Sequence, residues 1–198
     1  MEHLGTKAGP TSKSVAVQSD VVDLSGFVTP ARLGYKAWTF DPAVAATNKA
    51  TTANTLIACV TFCSAAAASG ATLNVEYQIG GAGATYTYAR LGIYKYDPAT
   101  GTSTQIGLSA DLSTIWNGTG AKVTPVTLSA AVAIGDALYV AVLGNSTTAT
   151  SFAAAGGAIG AGRGSPVRCG LYASGTSLPA SFTQANLSST GSMPFFAY

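Results

Sequence analysis

The stretch Ala71-Thr-Leu-Asn-Val-Glu-Tyr-Gln-Ile79 decides the fold class, because apolar and polar side chains alternate along it without a break. The apolar set is Leu73, Val75, Tyr77 and Ile79, and the polar set is Thr72, Asn74, Glu76 and Gln78. A period of two residues is typical of a β-strand that turns one face to a core and the other to solvent. We therefore expect a half-buried strand here.

Similar patterns on both sides of this stretch predict strands through most of the chain. They fall at 35–41, 54–63, 86–97, 102–108, 123–128 and 137–143, with shorter ones near 151–154, 167–172 and 194–198. Asp97-Pro-Ala-Thr-Gly101 has the turn chemistry of a hairpin loop, since proline presets φ early and glycine supplies a positive φ late. No helical window of useful length interrupts the series, which predicts an all-β, jelly-roll-like antiparallel β-sandwich over residues 35–198. Residues 1–34 are sparse in apolar groups, and we expect an extended N-terminal arm that docks the protein.

The composition excludes several classes of protein. Charged residues make up only 9% of the chain, against about 25% in an average soluble protein. Ala, Thr, Gly and Ser together supply just over half of it. Disorder needs low hydrophobicity and high net charge, and a net charge of +2 offers little for nucleic-acid binding. No apolar run is long enough for a membrane-spanning helix, and the polar first 14 residues do not resemble a secretory signal.

Three cysteines occur, at Cys59, Cys63 and Cys169. On one strand, positions 59 and 63 share a face but lie about 13 Å apart, too far for a disulfide. No further ligands stand at zinc-binding spacing. We expect buried free thiols in a reducing cytosol, although the sequence leaves open which of the other two cysteines Cys169 approaches.

The residues that enzymes use are scarce. The only histidine is His3, inside the predicted arm, so a serine or cysteine nucleophile would lack its base. The acidic residues show no spacing that predicts a glycosidase pair, and the glycine-rich segments do not join a strand to a helix as phosphate-binding loops do. We therefore expect a protein that is not an enzyme and has no catalytic residues, cofactor or metal.

The strand over 86–97 carries the most distinctive side chains. If Ala89, Leu91 and Ile93 face the core, strict alternation places the remaining large residues on the opposite face. That set is Tyr86, Tyr88, Arg90, Tyr94 and Tyr96. Tyrosines beside an arginine on an exposed sheet suit a glycan contact or a subunit interface. The alternative is that this face packs beneath a loop or the second sheet, with the hydroxyls reaching solvent.

Several short motifs carry a resemblance to a known family. They are Arg90-Leu-Gly-Ile-Tyr94, Asp97 to Gly101, Gln105-Ile-Gly, Val126-Thr-Leu and Gly135-Asp-Ala-Leu-Tyr-Val-Ala-Val-Leu143. Together they resemble the β-sandwich module of bacteriophage minor tail and tail-fibre proteins, especially those of phages that infect actinobacteria. The resemblance covers roughly residues 53–145, with an extension to 198. It implies a jelly-roll-like domain of a virion, often trimeric, which is attached by its N-terminal arm and sometimes contacts the host surface.

The resemblance and the composition together predict a virion structural protein that assembles in the host cytoplasm. The first expectation is a component of the tail tip or tail fibre that contacts host-surface glycans. Because the chain has no long fibre shaft, a capsid decoration or head-fibre protein is the first alternative, and a carbohydrate-active enzyme is the second. The expected partners are other copies of the chain, in a trimer, and neighbouring virion proteins, with no nucleic acid.

Overall fold

A computed structural model of the chain describes residues 30–156, 166–190 and 192–198, and it is all-β. Apart from 30–34, the predicted arm lies outside the described residues. Short 3₁₀ turns occur at Pro30–Leu33, Pro42–Val44 and Gln184–Asn186. The strands are β1 (Thr47–Ala50), β2 (Thr55–Phe62), β3 (Thr72–Gly81), β4 (Ala84–Asp97), β5 (Thr102–Leu108), β6 (Gly120–Thr127), β7 (Ala137–Thr148), β8 (Ser151–Gly156), β9 (Cys169–Ala173), β10 (Ser181–Thr183), β11 (Ser188–Ser189) and β12 (Ser192–Pro194).

The strands form two antiparallel sheets. The first has the order β1-β8-β3-β6, with β12 also paired to β8, and the second has the order β10-β5-β4-β7-β2-β9-β11. Pro125 lies in β6, at the edge of the first sheet, where a missing N–H group costs no ladder hydrogen bond. The predicted hairpin is confirmed, because β4 and β5 pair around residues 98–101.

The first core fills the space between the two sheets. The apolar set of β3 is buried, as its alternation predicts, while Thr72, Asn74 and Gln78 are exposed on the outer face. The largest side chains of this core include Trp116, Tyr77, Phe152 and Phe196. Edge-to-face contacts join them, with ring centroids 5.3 Å apart for Trp116 and Phe152 and 5.7 Å for Tyr77 and Phe152.

The second sheet curls into a nearly closed barrel. β10 and β11 lie at its opposite edges, yet only residues 184–187 separate them. Five residue steps reach at most about 17 Å, whereas the edges of a flat seven-stranded sheet stand about 29 Å apart. The sheet must therefore bend until its edges approach each other.

A second core fills the inside of this barrel. Its buried members are Leu56, Ala58, Val60, Tyr94, Tyr96, Ala137, Tyr139, Ala141, Leu143, Leu178 and Phe182. Because β7 has one core on each side, every residue from Ala137 to Asn145 is buried. The run of apolar residues in β7 is thus the pattern of a strand that is covered on both faces.

The two ends of the described chain meet beside the first sheet. The predicted strand over 35–41 is instead an extended segment, here called the entry segment, that bonds to the C-terminal residues: Ala37 N donates to Tyr198 O, and Thr39 N donates to Phe196 O. On the other side, Glu76 exchanges both backbone hydrogen bonds with Ala197. The C-terminal tail, residues 195–198, therefore holds the entry segment against β3.

The cysteine prediction is wrong for two of the three residues. Cys59 and Cys169 are direct cross-strand partners in β2 and β9, with Cα atoms 4.1 Å apart, and they form a disulfide. Cys63 is a buried free thiol, as expected. Desolvation by burial raises the pKa of Cys63.

Candidate functional site

The five residues of the predicted tyrosine face do not share one face. Tyr88, Arg90, Tyr94 and Tyr96 point to the barrel side of β4. Tyr86 packs on the opposite side, with its ring centroid 6.1 Å from that of Trp116. A register shift between Tyr86 and Tyr88, where β4 pairs with β7, breaks the alternation. A bulge of this kind moves the residues before it to the other face of a sheet.

Two members of the set lie inside the barrel rather than on the surface. Tyr94 is 0% exposed and Tyr96 is 7% exposed. The Tyr94 hydroxyl donates to Pro179 O at 2.7 Å and accepts from Gln105 Nε2 at 3.1 Å. Burial raises the pKa of Tyr94 well above its ordinary value. The expectation of an exposed platform is therefore corrected at these two positions, where the chain after β9 covers the sheet.

Tyr88 and Arg90 remain half-buried at the barrel rim. The guanidinium carbon of Arg90 lies 6.0 Å from the centroid of the Tyr88 ring, and Arg90 Nη1 donates to Ser109 O at 2.9 Å. The Tyr88 hydroxyl accepts from Leu178 N at 3.1 Å. Both polar ends thus hold neighbouring segments in place. On the barrel side of β4, what stays on the surface for a glycan or a subunit is therefore the pair Tyr88 and Arg90.

A separate groove of about 260 Å³ lies on the outer face of the first sheet. Its floor is β3, where the alternation sends Glu76 and Gln78 outward. Its walls come from residues 35–45, β6, β8 and the C-terminal tail. The wall residues include Tyr35, Pro42, Ala45, Ala121, Lys122, Val123, Ala153 and Phe195. Three alanines among them leave the space that larger side chains would fill.

The groove depends on one contact between distant parts of the sequence. The Tyr35 hydroxyl donates to Glu76 Oε2 at 2.7 Å. This hydrogen bond is the main reason that the pKa of Tyr35 is raised, and desolvation by burial is the next largest. Phe195 packs edge-on against Phe40, with ring centroids 5.7 Å apart. The C-terminal tail thus fixes the wall that carries Tyr35 over the carboxylate of Glu76.

Another depression, of about 330 Å³, lies around Asn54, Thr87 and Asn145. The Asn145 side chain is buried there: Oδ1 accepts from Asn54 N at 2.6 Å, and Nδ2 donates to Thr176 O at 3.3 Å. Both ends of the amide hold the backbone. Asn145 is therefore a structural residue rather than a free polar group.

Two findings concern sites of other kinds. The described residues hold no cluster of three or more His, Cys, Asp or Glu side chains placed to bind one metal ion. Within the same ranges, no helix reaches the length and apolarity that crossing a bilayer requires.

No protein-family model matches the chain, and no curated protein matches it. The structure defines an all-β protein of two sheets. The second sheet is nearly closed, and the first carries the groove that contains the Glu76 carboxylate. The alternation of β3 already places Glu76 on the outer face. Tyr35, 41 residues away, could not be assigned to it, because the partner of the entry segment is the far end of the chain.

Proposed function

We propose that this chain is a non-enzymatic structural protein of a bacteriophage virion, with the tail tip or tail fibre as its first location. One observation supports the proposal above all. The motifs that resemble phage tail modules lie in β4, β5 and β7, which are neighbours in the second sheet, and in β6, whose end bridges to β5. Three of the four strands that carry the resemblance are therefore adjacent in one sheet.

The low charge of the chain fits this role. Burying a charged side chain in an interface costs free energy unless it is paired. Only 9% of the residues are charged, so broad faces of this protein become buried between neighbours at little such cost. A trimer would also cover exposed sheet edges. The jelly-roll topology, the docking arm over 1–34 and host-glycan contact at Tyr88 and Arg90 belong to the same proposal.

Deletion of residues 1–29 tests the docking arm. We expect the shortened chain to keep the circular dichroism spectrum of the full chain but to be absent from purified particles, as measured by mass spectrometry of particle proteins. Incorporation at the normal level would overturn the role of the arm.

Separating tails from heads before the same measurement tests the location. Recovery of the full chain with tails supports the tail assignment, whereas recovery with heads replaces it by a decoration or head-fibre role. Absence of the full chain from both fractions would refute the virion proposal. Turnover of a host cell-wall polysaccharide by the purified chain would replace it with the enzyme alternative.

A further inference from the structure

Backbone strain occurs at the Asn54 depression, the cavity of about 330 Å³ around Asn54, Thr87 and Asn145. In the part of the chain that the structure describes, two residues other than glycine have a positive φ, Asn54 at 58° and Thr85 at 53°. Both line this depression. Asparagine tolerates the conformation and suits a turn, but a β-branched residue such as threonine adopts it only at a cost. Strain that a fold retains is concentrated at functional sites, ligand sites among them.

The start of β4 is irregular in a second way. Its register against β7 shifts between Tyr86 and Tyr88, so that Thr87 is an extra residue in the strand. Thr87 also lines the depression, and its hydroxyl donates to Asn145 O at 3.3 Å. Bulges redirect side chains and are common next to active sites. The strained residue, Thr85, and the bulge therefore form one wall of the same cavity.

The buried side chain of Asn145 positions the other walls. Its Oδ1 accepts from Asn54 N, and its Nδ2 donates to Thr176 O. These contacts engage the backbone of both residues, while the side chains of Asn54 and Thr176 bond to no described residue. The hydroxyl of Thr85 likewise has no hydrogen-bond partner in the described ranges. The depression thus presents three neutral polar groups that are exposed to solvent, each able to donate and to accept.

The lining favours a neutral ligand with several hydroxyl groups. It consists of threonine, serine, asparagine and alanine residues, and none of them is charged. An anion would find no cationic side chain there, and a cation would find no carboxylate. Sugar hydroxyls both donate and accept, as the free amide and hydroxyl groups do. The volume is at the lower end of the roughly 300–1,000 Å³ of small-molecule pockets, which fits a single sugar ring.

We propose that the Asn54 depression binds one neutral sugar unit of a polysaccharide. The sugar hydroxyls would bond to the amide of Asn54 and to the hydroxyls of Thr85 and Thr176, and the methyl groups of the lining threonines would contact the C–H groups of the ring. Asn145 is a positioning residue, because both ends of its amide are already engaged by the backbone. Walls that are held in this way lower the entropic cost of binding.

The depression adjoins the tyrosine and arginine pair to which the proposed function assigns glycan contact. Tyr88 is the cross-strand partner of Asn145, and its hydroxyl accepts from Leu178 N, two residues after Thr176. The inference therefore rests on the proposed function, and it gives the glycan contact of that function a defined site. A single site of this kind binds weakly, but many copies on one particle would raise the apparent affinity by orders of magnitude.

The test titrates the methyl glycosides of glucose, galactose, mannose, rhamnose and N-acetylglucosamine into the ¹⁵N-labelled full chain and follows backbone amide shifts. With at least one probe we expect saturable shifts centred on Asn54, Thr85 and Thr176, unchanged by added salt because no charge takes part. Asn54→Gly keeps the positive φ and the N–H group that bonds to Asn145, but it removes the free amide. The affinity should fall at least about threefold.

Thr85→Gly separates binding from stability. Loss of the hydroxyl should lower the affinity at least about threefold, whereas release from the strained conformation should raise Tm by about 2–4 °C. Thr104→Gly is the matched control, because Thr104 is an exposed threonine of β5 that lies outside the depression and has no positive φ. It should leave the affinity unchanged and should not raise Tm.

Absence of saturable shifts with every probe would overturn the proposal, as would affinities in Asn54→Gly and Thr85→Gly equal to that of the unchanged chain. Shifts that appear only with glucuronate and vanish as salt is added would identify a charged-ligand site and overturn it as well. Sugar binding by a chain that is absent from purified particles would keep the site and refute the virion proposal. Incorporation into particles without sugar binding would refute the site and keep the virion proposal.

Discussion

Replacing Phe196 by alanine removes the side chain that anchors the C-terminal tail in the first core. Phe196 is 0% exposed, and its ring centroid lies 5.8 Å from that of Phe152 and 6.3 Å from that of Tyr77. The same tail accepts hydrogen bonds from Ala37 and Thr39 of the entry segment. One substitution should therefore loosen both the core and the attachment of residues 35–39.

The expected loss of stability follows from the burial of the ring. Truncating a buried phenylalanine to alanine costs about 3–5 kcal/mol, from lost transfer free energy and the cavity that is left. For a protein of this length, each kcal/mol lowers Tm by about 2–4 °C, so Tm should fall by about 6–20 °C. Phe62→Ala is the matched control, because Phe62 is 56% exposed; its effect should stay within about 0.5 kcal/mol.

Two assays read out the change. Thermal unfolding followed by circular dichroism gives the difference in Tm between Phe196→Ala and Phe62→Ala. Amide hydrogen exchange gives the local effect, and the amides of Ala37 and Thr39 should exchange faster in Phe196→Ala. Equal Tm values for the two variants, or unchanged exchange at Ala37 and Thr39, would refute the role of the tail.

Three further predictions concern the cysteines, the tyrosines and the arm. Thiol titration in denaturant without reductant should find one thiol per chain, Cys63, and three after reduction of the Cys59–Cys169 disulfide; three thiols before reduction would contradict the pairing. Burial raises the pKa of Tyr94 and Tyr139. The folded state therefore keeps the full stabilisation from these two neutral, buried side chains below about pH 10, and loses it as the pH rises through the raised pKa. Tyrosinate absorbance should show them ionising only as the circular dichroism signal is lost, whereas ionisation in the folded protein would contradict their burial. Removing residues 1–29 should shift Tm by no more than about 1 °C, because the described residues bury two apolar cores among themselves; a large fall in Tm would show that the arm contributes to the body.

The strands with one buried face were readable from the sequence. In β3 the alternation predicts both the strand and the side chains that it buries, because a period of two residues has a single physical interpretation there. β4 is different, since both of its faces are buried and pairing shifts occur near Tyr86 and after Ile93. Alternation counted through a bulge assigns residues to the wrong face, as it did for Tyr86.

The contacts that depend on strand order could not be read in this way. The disulfide joins residues that are 110 positions apart, and it exists because β2 and β9 are neighbours in a register that places Cys59 opposite Cys169. The second core has the same origin: Phe182 enters the barrel only because β10 pairs with β5. The Glu76 groove likewise needs the C-terminal tail to position Tyr35. Each of these features is a property of the topology rather than of a local pattern.

Electron cryo-microscopy of phage particles produced by cells that express this chain tests the central proposal most directly. We expect density at the tail tip or along a tail fibre that fits the two sheets, with residues 1–34 reaching into a neighbouring protein. Density of this shape on the capsid surface would contradict the tail assignment. Its absence from the whole particle would contradict a structural role in the virion.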